Sequence, residues 1–286
     1  MADRRIAYLG PAGTFSEEAA LRYAGGRGAL IPFPSFPELV EAVEAGRADE
    51  TILPIENSLE GPVTPNVDML IHRTDLKVCG EFVLPVRHFL IAKPGTALAE
   101  VRALYSHPQP LGQCRRFLER QLPAVEVIAS LSTAAAVREM MAAEGRRSAA
   151  ISTRRAAELY GGAILAEDIQ DNDNNVTRFL ILAARAEPPT GQDKTSLCFT
   201  LHGAREPGTL YASLACFAEA GINLTKLESR PTKEELGFYV FLIDLEGHQA
   251  DPAVAGALDR LRGLTETLKV FGSYPRSDRP NGARAR

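Results

Sequence analysis

Ile6-Ala7-Tyr8-Leu9-Gly10-Pro11-Ala12-Gly13-Thr14-Phe15-Ser16-Glu17 is the stretch on which the fold turns. Ile6 to Leu9 is a short apolar run of the kind a buried strand shows. Gly10 to Gly13 break it. Thr14-Phe15-Ser16-Glu17 then carries the capping-box pattern, which predicts a helix from Phe15 to about Tyr23. The rhythm repeats immediately. Ile31-Pro32-Phe33 is a weak strand. Ser35-Phe36-Pro37-Glu38 is a second capping box whose helix ends at Gly46, and Thr51 to Ile55 is the next strand. A βαβαβ order predicts a mainly parallel sheet covered by helices. Sheets of that kind bind ligands beyond the carboxyl ends of their strands.

Further along, residues 76 to 93 read as two extended runs broken at Pro85. Strand Val101 to Tyr105, helix Pro110 to Gln121 and strand Val125 to Ala129 follow. Helix Thr133 to Ala143, strand Ala149 to Ile151 and helix Thr153 to Tyr160 come next, the last closed by Gly161-Gly162, before strand Thr177 to Ala183. Two α/β units joined by two crossings, near residues 80 and 172, make two lobes with a cleft. Glu187 to Asp193 is a linker by composition. Beyond it the order changes. Strand Thr195 to Leu201, helix Gly208 to Ala220, strands Ile222 to Glu228 and Phe238 to Leu245 about a turn at Pro231, helix Ala253 to Leu261 and strand Glu266 to Val270 form a βαββαβ series, the ferredoxin-like order.

The 286 residues favour two domains. With 45% apolar and 24% charged residues the composition is that of a globular protein. The net charge of -4 points to no polyanionic partner, and no basic run interleaved with aromatics marks a nucleic-acid groove. The basic tail Arg276 to Arg286 reads as a frayed terminus. Cys79, Cys114, Cys198 and Cys216 form no C-x-x-C pair, so neither zinc nor redox chemistry is indicated. No export signal and no membrane-length apolar stretch is read, so a cytoplasmic protein with reduced thiols and no membrane partner is expected.

Several segments, in order, carry a resemblance. Gly10 to Glu17, then Pro54-Ile55-Glu56-Asn57-Ser58 with Glu60-Gly61, then Ser106-His107-Pro108-Gln109 ending in Gln113-Cys114, then Asn175-Val176-Thr177-Arg178-Phe179, resemble the successive blocks of the prephenate dehydratase family. Gly208-Thr209-Leu210-Tyr211 and Glu228-Ser229-Arg230-Pro231 resemble the two effector blocks of that family's ACT domain. The resemblance covers about residues 5 to 275. It implies a two-lobed α/β fold like that of type II periplasmic binding proteins over residues 1–187, and a ferredoxin-like ACT regulatory domain over 194–275. It also implies the reaction, prephenate to phenylpyruvate, water and carbon dioxide in phenylalanine biosynthesis, without a cofactor. Members with a chorismate mutase domain carry it in front, and this chain starting at the first strand reads as a monofunctional one.

The residue types suit that chemistry. The enzyme holds two carboxylates and helps hydroxide leave, which requires neither a strong nucleophile nor a metal. No Ser/His/Asp order and no metal-spaced His cluster stands out. Thr177, whose hydroxyl can donate to the departing group, is the first catalytic candidate, with Asn57, Ser106 and Gln113 beside it. Gly13 and Thr14 join a strand to a helix start whose free N–H groups make an anion site. Ser132 and Thr133, and Ser106 before Pro110, precede two more helix starts that by fold analogy face the same cleft. Glu56, read as an orienter, Ser58, Arg178 and Phe179 complete the expected substrate contacts. Alternation puts Arg178 on the face opposite Thr177. His107 fits a structural loop histidine at least as well as an acid or base. His72, His88, His202 and His248 are scattered and receive no role.

In ACT domains the blocks at Gly208, Thr209, Leu210, Tyr211 and at Glu228, Ser229, Arg230, Pro231 come from neighbouring subunits and enclose an amino acid. That implies L-phenylalanine as effector and a homodimer or homotetramer. Thr209 stands where the family usually has Ala. Two alternatives stay open on the residues alone, an arogenate dehydratase and a non-catalytic cytosolic amino-acid sensor.

Overall fold

The computed structural model describes residues 4–145, 147–202 and 206–277, so the tail from 278 onward lies outside the described residues. The chain opens with β1 (Arg5–Leu9), α1 (Phe15–Ala24), β2 (Ala29–Phe33), α2 (Phe36–Glu44) and β3 (Glu50–Asn57). β1 lies between β2 and β3 and pairs parallel with both. The capping residues explain the helix starts. Thr14 Oγ1 accepts from Glu17 N at 3.3 Å, and Ser35 Oγ accepts from Glu38 N at 3.4 Å. Gly25, at φ 57, closes α1 in the left-handed conformation that glycine adopts at least cost.

After β3 the chain makes β4 (Gly61–Pro62), a short return on β3, and then α3 (Thr64–His72), which the sequence reading leaves out. β5 (Lys77–Pro85) and β6 (Phe89–Ala92) are the two extended runs broken at Pro85. β7 (Ala103–Ser106), α4 (Pro108–Gln113), α5 (Arg115–Gln121), β8 (Glu126–Ala129), α6 (Thr133–Ala142), β9 (Ser148–Ser152), α7 (Arg154–Tyr160), β10 (Ala163–Ala166) and β11 (Val176–Ala183) follow. The single helix expected from Pro110 to Gln121 is two, broken at Cys114, whose φ and ψ of -117° and 17° leave the helical region. β10 is a further addition to the sequence reading.

Two sheets result, ordered β2-β1-β3-β11-β5 and β10-β6-β9-β7-β8. The second is mixed, because β6 runs antiparallel to β9 and β10 while β7 is parallel to β8 and β9. Separate apolar clusters cover its faces. Leu90, Val101, Leu104, Cys114 and Ile151 form one, and Phe89, Ile91, Val137, Met140 and Ala156 the other. A strand buried on both faces reads as a continuous apolar run, and β6 does so.

The remaining elements are β12 (Asp193–Leu201), α8 (Thr209–Ala218), β13 (Leu224–Pro231), β14 (Tyr239–Glu246), α9 (Pro252–Arg262) and β15 (Thr265–Pro275). They form an antiparallel sheet ordered β13-β14-β12-β15, the ferredoxin-like arrangement of a βαββαβ chain. Leu197, Phe199, Phe217, Ile243, Leu258 and Leu261 build the core between sheet and helices.

The described chain divides into two compact units. One runs to Val63 and resumes over Val83–Phe179, and the other joins Thr64–Phe82 to the chain from Leu180 onward. Within the second unit α3 is held by several polar contacts. Lys269 Nζ donates to Leu70 O at 2.9 Å, Ile71 O at 3.2 Å and Thr74 O at 2.7 Å. Leu70 and Ile71 lie in the last turn of α3, where backbone carbonyls find no N–H group within the helix. Arg230 pairs with Asp68 at 3.0 Å, Lys233 also reaches Asp68, and Lys194 pairs with Glu81 at 3.0 Å. Gly272 passes so close to β5 that a Cβ there would lie 2.2 Å from Val78 O.

Candidate active site

Asn57 ends β3 beside the first residues of β11 and is buried at 7% exposure. Its Oδ1 accepts the backbone N–H groups of Leu59 at 3.0 Å and Glu60 at 3.1 Å. That fixes which way the amide faces, since only oxygen can accept. Nδ2 therefore turns to β11, donating to Asn175 Oδ1 at 2.8 Å, Thr177 Oγ1 at 3.0 Å and Val176 O at 3.2 Å. A hydroxyl that accepts one hydrogen bond keeps its own proton to donate. The Thr177 O–H is thus held in place while its proton stays available to a third group.

The network continues through Asn175, which is 1% exposed. Asn175 Nδ2 donates to Gln113 Oε1 at 3.0 Å, and Gln113 Nε2 donates to Glu60 Oε1 at 3.2 Å. Because Glu60 N already binds Asn57, the four residues close a ring. His88, also 1% exposed, adds its Nε2 to Gln113 Oε1 at 2.8 Å. Gln113 Oε1 is an acceptor, so the imidazole carries its proton on Nε2. Burial holds the His88 pKa below its ordinary value, opposed by the bond to Gln113. The ring is therefore neutral near pH 7. It meets Phe15 edge-on at 5.4 Å between centroids. A cavity of about 330 Å³ opens beside this network, lined by Leu59, Glu60, Gln113, Gln170, Asp171 and Asn175. Sequence reasoning missed His88 and treated Asn175 only as part of a block. A polar side chain buried between strands is the one signal that could have found them, and burial is not visible in a single sequence.

Three helix starts gather around Gly13. Gly13, at φ +91, sits where a Cβ would lie 3.2 Å from that of Ala156 and 3.3 Å from that of Ala134. Thr153 Oγ1, the cap of α7, donates to Gly13 O at 2.8 Å, and Tyr160 Oη donates to Ala12 O at 3.0 Å. The starts of α1, α6 and α7 converge there. None of these contacts involves α4, which the sequence reading placed in the group. The Gly13 N–H is not free either, since it donates to Glu17 Oε2 at 2.5 Å. Thr14 caps α1, and Ser132 Oγ caps α6 by accepting from Ala135 N at 3.0 Å. Thr133 begins α6, and its carbonyl accepts from Ser152 Oγ at 2.8 Å. In this state the anion site expected at Gly13 is occupied by the protein's own carboxylate.

The other expected residues fall into distinct settings. Ser58 Oγ donates to Asn174 O and accepts from Val176 N, both at 3.0 Å, so its hydroxyl pins β11. Ser106 is fully buried and its Oγ donates to its neighbour's carbonyl, His107 O, at 2.9 Å. His107 caps α4 through its ring nitrogen. Glu56 lies on β3 opposite Pro62, and Arg178 is half-buried beside Thr177. Phe179 is 1% exposed and is a core side chain. Cys114 lies next to Gln113, but burial raises its thiol far above the ordinary range, so it offers no thiolate. Among the described residues no cluster of three or more His, Cys, Asp or Glu side chains is arranged to hold a metal, and no helix is long and apolar enough to cross a membrane.

In the second unit, Gly208 takes φ +90 just before α8, with open space where a Cβ would sit. Thr209 Oγ1 donates to Glu206 O at 3.1 Å, Leu210 packs against the core, and Tyr211 is 79% exposed. On the edge strand β13, Ser229 and Pro231 are exposed, whereas Arg230 pairs with Glu228 at 3.0 Å as well as with Asp68.

A family model described as prephenate dehydratase matches residues 6–187. The bifunctional chorismate mutase/prephenate dehydratase of Aquifex aeolicus is 43% identical over 273 residues, covering 96% of this chain and 74% of that protein. The crystal structure of prephenate dehydratase in complex with L-Phe from Arthrobacter aurescens is 35% identical, with a TM-score of 0.87, over 98% of this chain and 92% of that one. A solved structure described as GqqA, a novel type of quorum quenching acylase, is 34% identical, with a TM-score of 0.86, over 96% of this chain and 99% of that one.

Proposed function

This chain belongs to the prephenate dehydratase family, and from that premise we propose that it converts prephenate to phenylpyruvate at the Asn57–Thr177 pair, as a carbon–oxygen lyase that needs no cofactor. The C–C bond to the ring carboxylate breaks, its electron pair enters the ring, and the C–O bond to the ring hydroxyl breaks. Carbon dioxide leaves, the ring becomes aromatic, and the departing hydroxide takes up a proton as water. Thr177 donates a hydrogen bond to that oxygen as charge develops on it. Asn57 orients Thr177 by donating to its oxygen, and Gln113 lies behind Asn175 in the same network. The observation that carries the reading is the 3.0 Å bond from Asn57 Nδ2 to Thr177 Oγ1. A threonine hydroxyl is too weak an acid to transfer its proton ahead of departure, so donation is concerted with it.

Residues 1–187 are the two-lobed catalytic region in this reading, and 194–275 an ACT domain that binds L-phenylalanine through Gly208 to Tyr211 and Glu228 to Pro231. The phenylalanine bound in the Arthrobacter relative and the βαββαβ order support this. The exposure of Tyr211 and of Leu227 on the edge strand supports a dimeric or tetrameric assembly. The four cysteines, buried and outside any disulfide, accord with a cytoplasmic setting. Absorbance of phenylpyruvate, followed with prephenate and arogenate side by side, tests the function. Turnover of prephenate at 10-fold or more the kcat/KM of arogenate is expected. No turnover of either would overturn the assignment.

A further inference from the structure

We infer that His88 is a positioning residue for the dehydration, acting through Gln113 and Asn175 to fix the direction of the amide that orients Thr177. The inference rests on the functional reading above and deepens it.

An amide side chain can be turned end for end with little change of shape, and only its hydrogen-bond partners decide which end is oxygen. Three such side chains, Asn57, Asn175 and Gln113, lie in series behind Thr177. If one of them turned, an N–H would face an N–H, and the error would pass along the series. Each end of the series therefore needs a group that can play only one part. At the Asn57 end, the backbone N–H groups of Leu59 and Glu60 can only donate. At the Gln113 end, the Glu60 carboxylate can only accept. His88 adds the last constraint, with its Nε2–H placed 2.8 Å from Gln113 Oε1.

A histidine could turn as well, exchanging Nε2 for its opposite face. The protein restricts that choice. The ring is 1% exposed, packs edge-on against Phe15, and places Nδ1 where it has no hydrogen-bond partner among the described residues. A buried N–H without a partner is costly, so the proton belongs on Nε2, where an acceptor waits. Leaving a bare ring nitrogen buried is the smaller penalty. The His88 backbone N–H also donates to Gln170 Oε1 at 3.0 Å, which holds the link before β6 at the same place. The histidine thus presents one donor, in one direction, to the oxygen that Asn175 also uses.

Three variants separate this role from simple packing. His88→Phe keeps the ring against Phe15 but removes the donor. His88→Gln places an amide N–H close to the position of the imidazole Nε2. His88→Asn places its amide nearer the position of Nδ1, short of Gln113. Steady-state kinetics with prephenate in the full-length protein, with thermal melts as the check on folding, should show kcat lowered about tenfold in His88→Phe and His88→Asn, the size of one lost orienting hydrogen bond. KM should stay within about threefold, because the substrate's own contacts are untouched, and His88→Gln should recover kcat to within about threefold of wild type. A packing role would instead favour Phe over both amides. If His88→Phe does not fold, the Gln against Asn contrast decides. Equal kcat in Gln and Asn variants, or wild-type kcat in His88→Phe, overturns this inference alone. Wild-type protein that does not turn over prephenate overturns the functional reading, and this inference with it.

Discussion

Thr177 and the amides behind it differ from an ordinary strand residue in having their hydrogen bonds assigned before any substrate arrives. Thr177→Val should therefore lower kcat about 100-fold or more, as losing a preorganised donor does, with an unchanged melting temperature. Thr177→Ser should keep a substantial part of the activity. Turnover of the valine variant within threefold of wild type, in folded protein, would falsify the assignment. His88 adds a pH signature that is separate from catalysis. Its pKa is lowered in the folded protein from an ordinary 6.5. As pH falls through 6.5 the unfolded chain binds a proton that the folded chain refuses, so stability declines until the folded value is reached. Above 6.5 the group contributes no pH dependence. Melts at pH 7.5 and 5.5 should show a larger drop for wild type than for His88→Gln, and equal drops would contradict it. Thr177, Asn57 and Gln113 were legible in the sequence because each sits in a block with a recognisable order of residues. His88 was not, because its partner Gln113 lies 25 positions away and the pairing depends on the link before β6 meeting the end of α4.

Among the elements, the helix starts were the easiest to read, since a cap is a local event. Thr14 with Glu17 and Ser35 with Glu38 satisfy N–H groups within three residues of themselves, and the structure shows both caps. What the pattern did not tell is that the Glu17 carboxylate accepts from the Gly13 N–H. α3 escaped notice because the stretch Thr64 to His72 has Pro and Asn in its first turn and no capping box, and what holds it comes from residues more than 150 positions later. Two substitutions probe these elements. Gly13→Ala forces a side chain onto a positive φ and against Ala134 and Ala156, so a loss of about 1–3 kcal/mol is expected in urea unfolding. Lys269→Met removes the cation that serves three carbonyls at and just beyond the end of α3, and a loss of about 1–3 kcal/mol is expected there as well. A midpoint unchanged in either variant would show that the contact contributes nothing.

For the molecule as a whole, the change of strand order at the linker was visible in the sequence, but the membership of Thr64–Phe82 was not, because it is decided by tertiary contacts alone. The distinction matters for regulation. Phenylalanine should inhibit the full chain, with Ser229→Ala raising the concentration needed for half-inhibition, as expected when an effector acts only through its differential affinity for two states, typically about 1–3 kcal/mol. A chain ending at Glu187 should lose that response altogether, and persistent inhibition at the same phenylalanine concentration would place the effector site elsewhere. The same shortened chain should melt at a lower temperature than the full protein, since Lys269, Lys194, Arg230 and Gly272 no longer meet α3 and β5. The arrangement also sets a timetable for synthesis. Residues 64–82 leave the ribosome early, yet the strands that complete their unit are made more than a hundred residues later. For that interval α3 and the start of β5 are without the carboxyl-terminal strands of their unit, at synthesis rates of about 5–20 residues per second. The first unit can settle in the meantime, and the nascent chain must carry this loop unfinished until its carboxyl-terminal partner emerges.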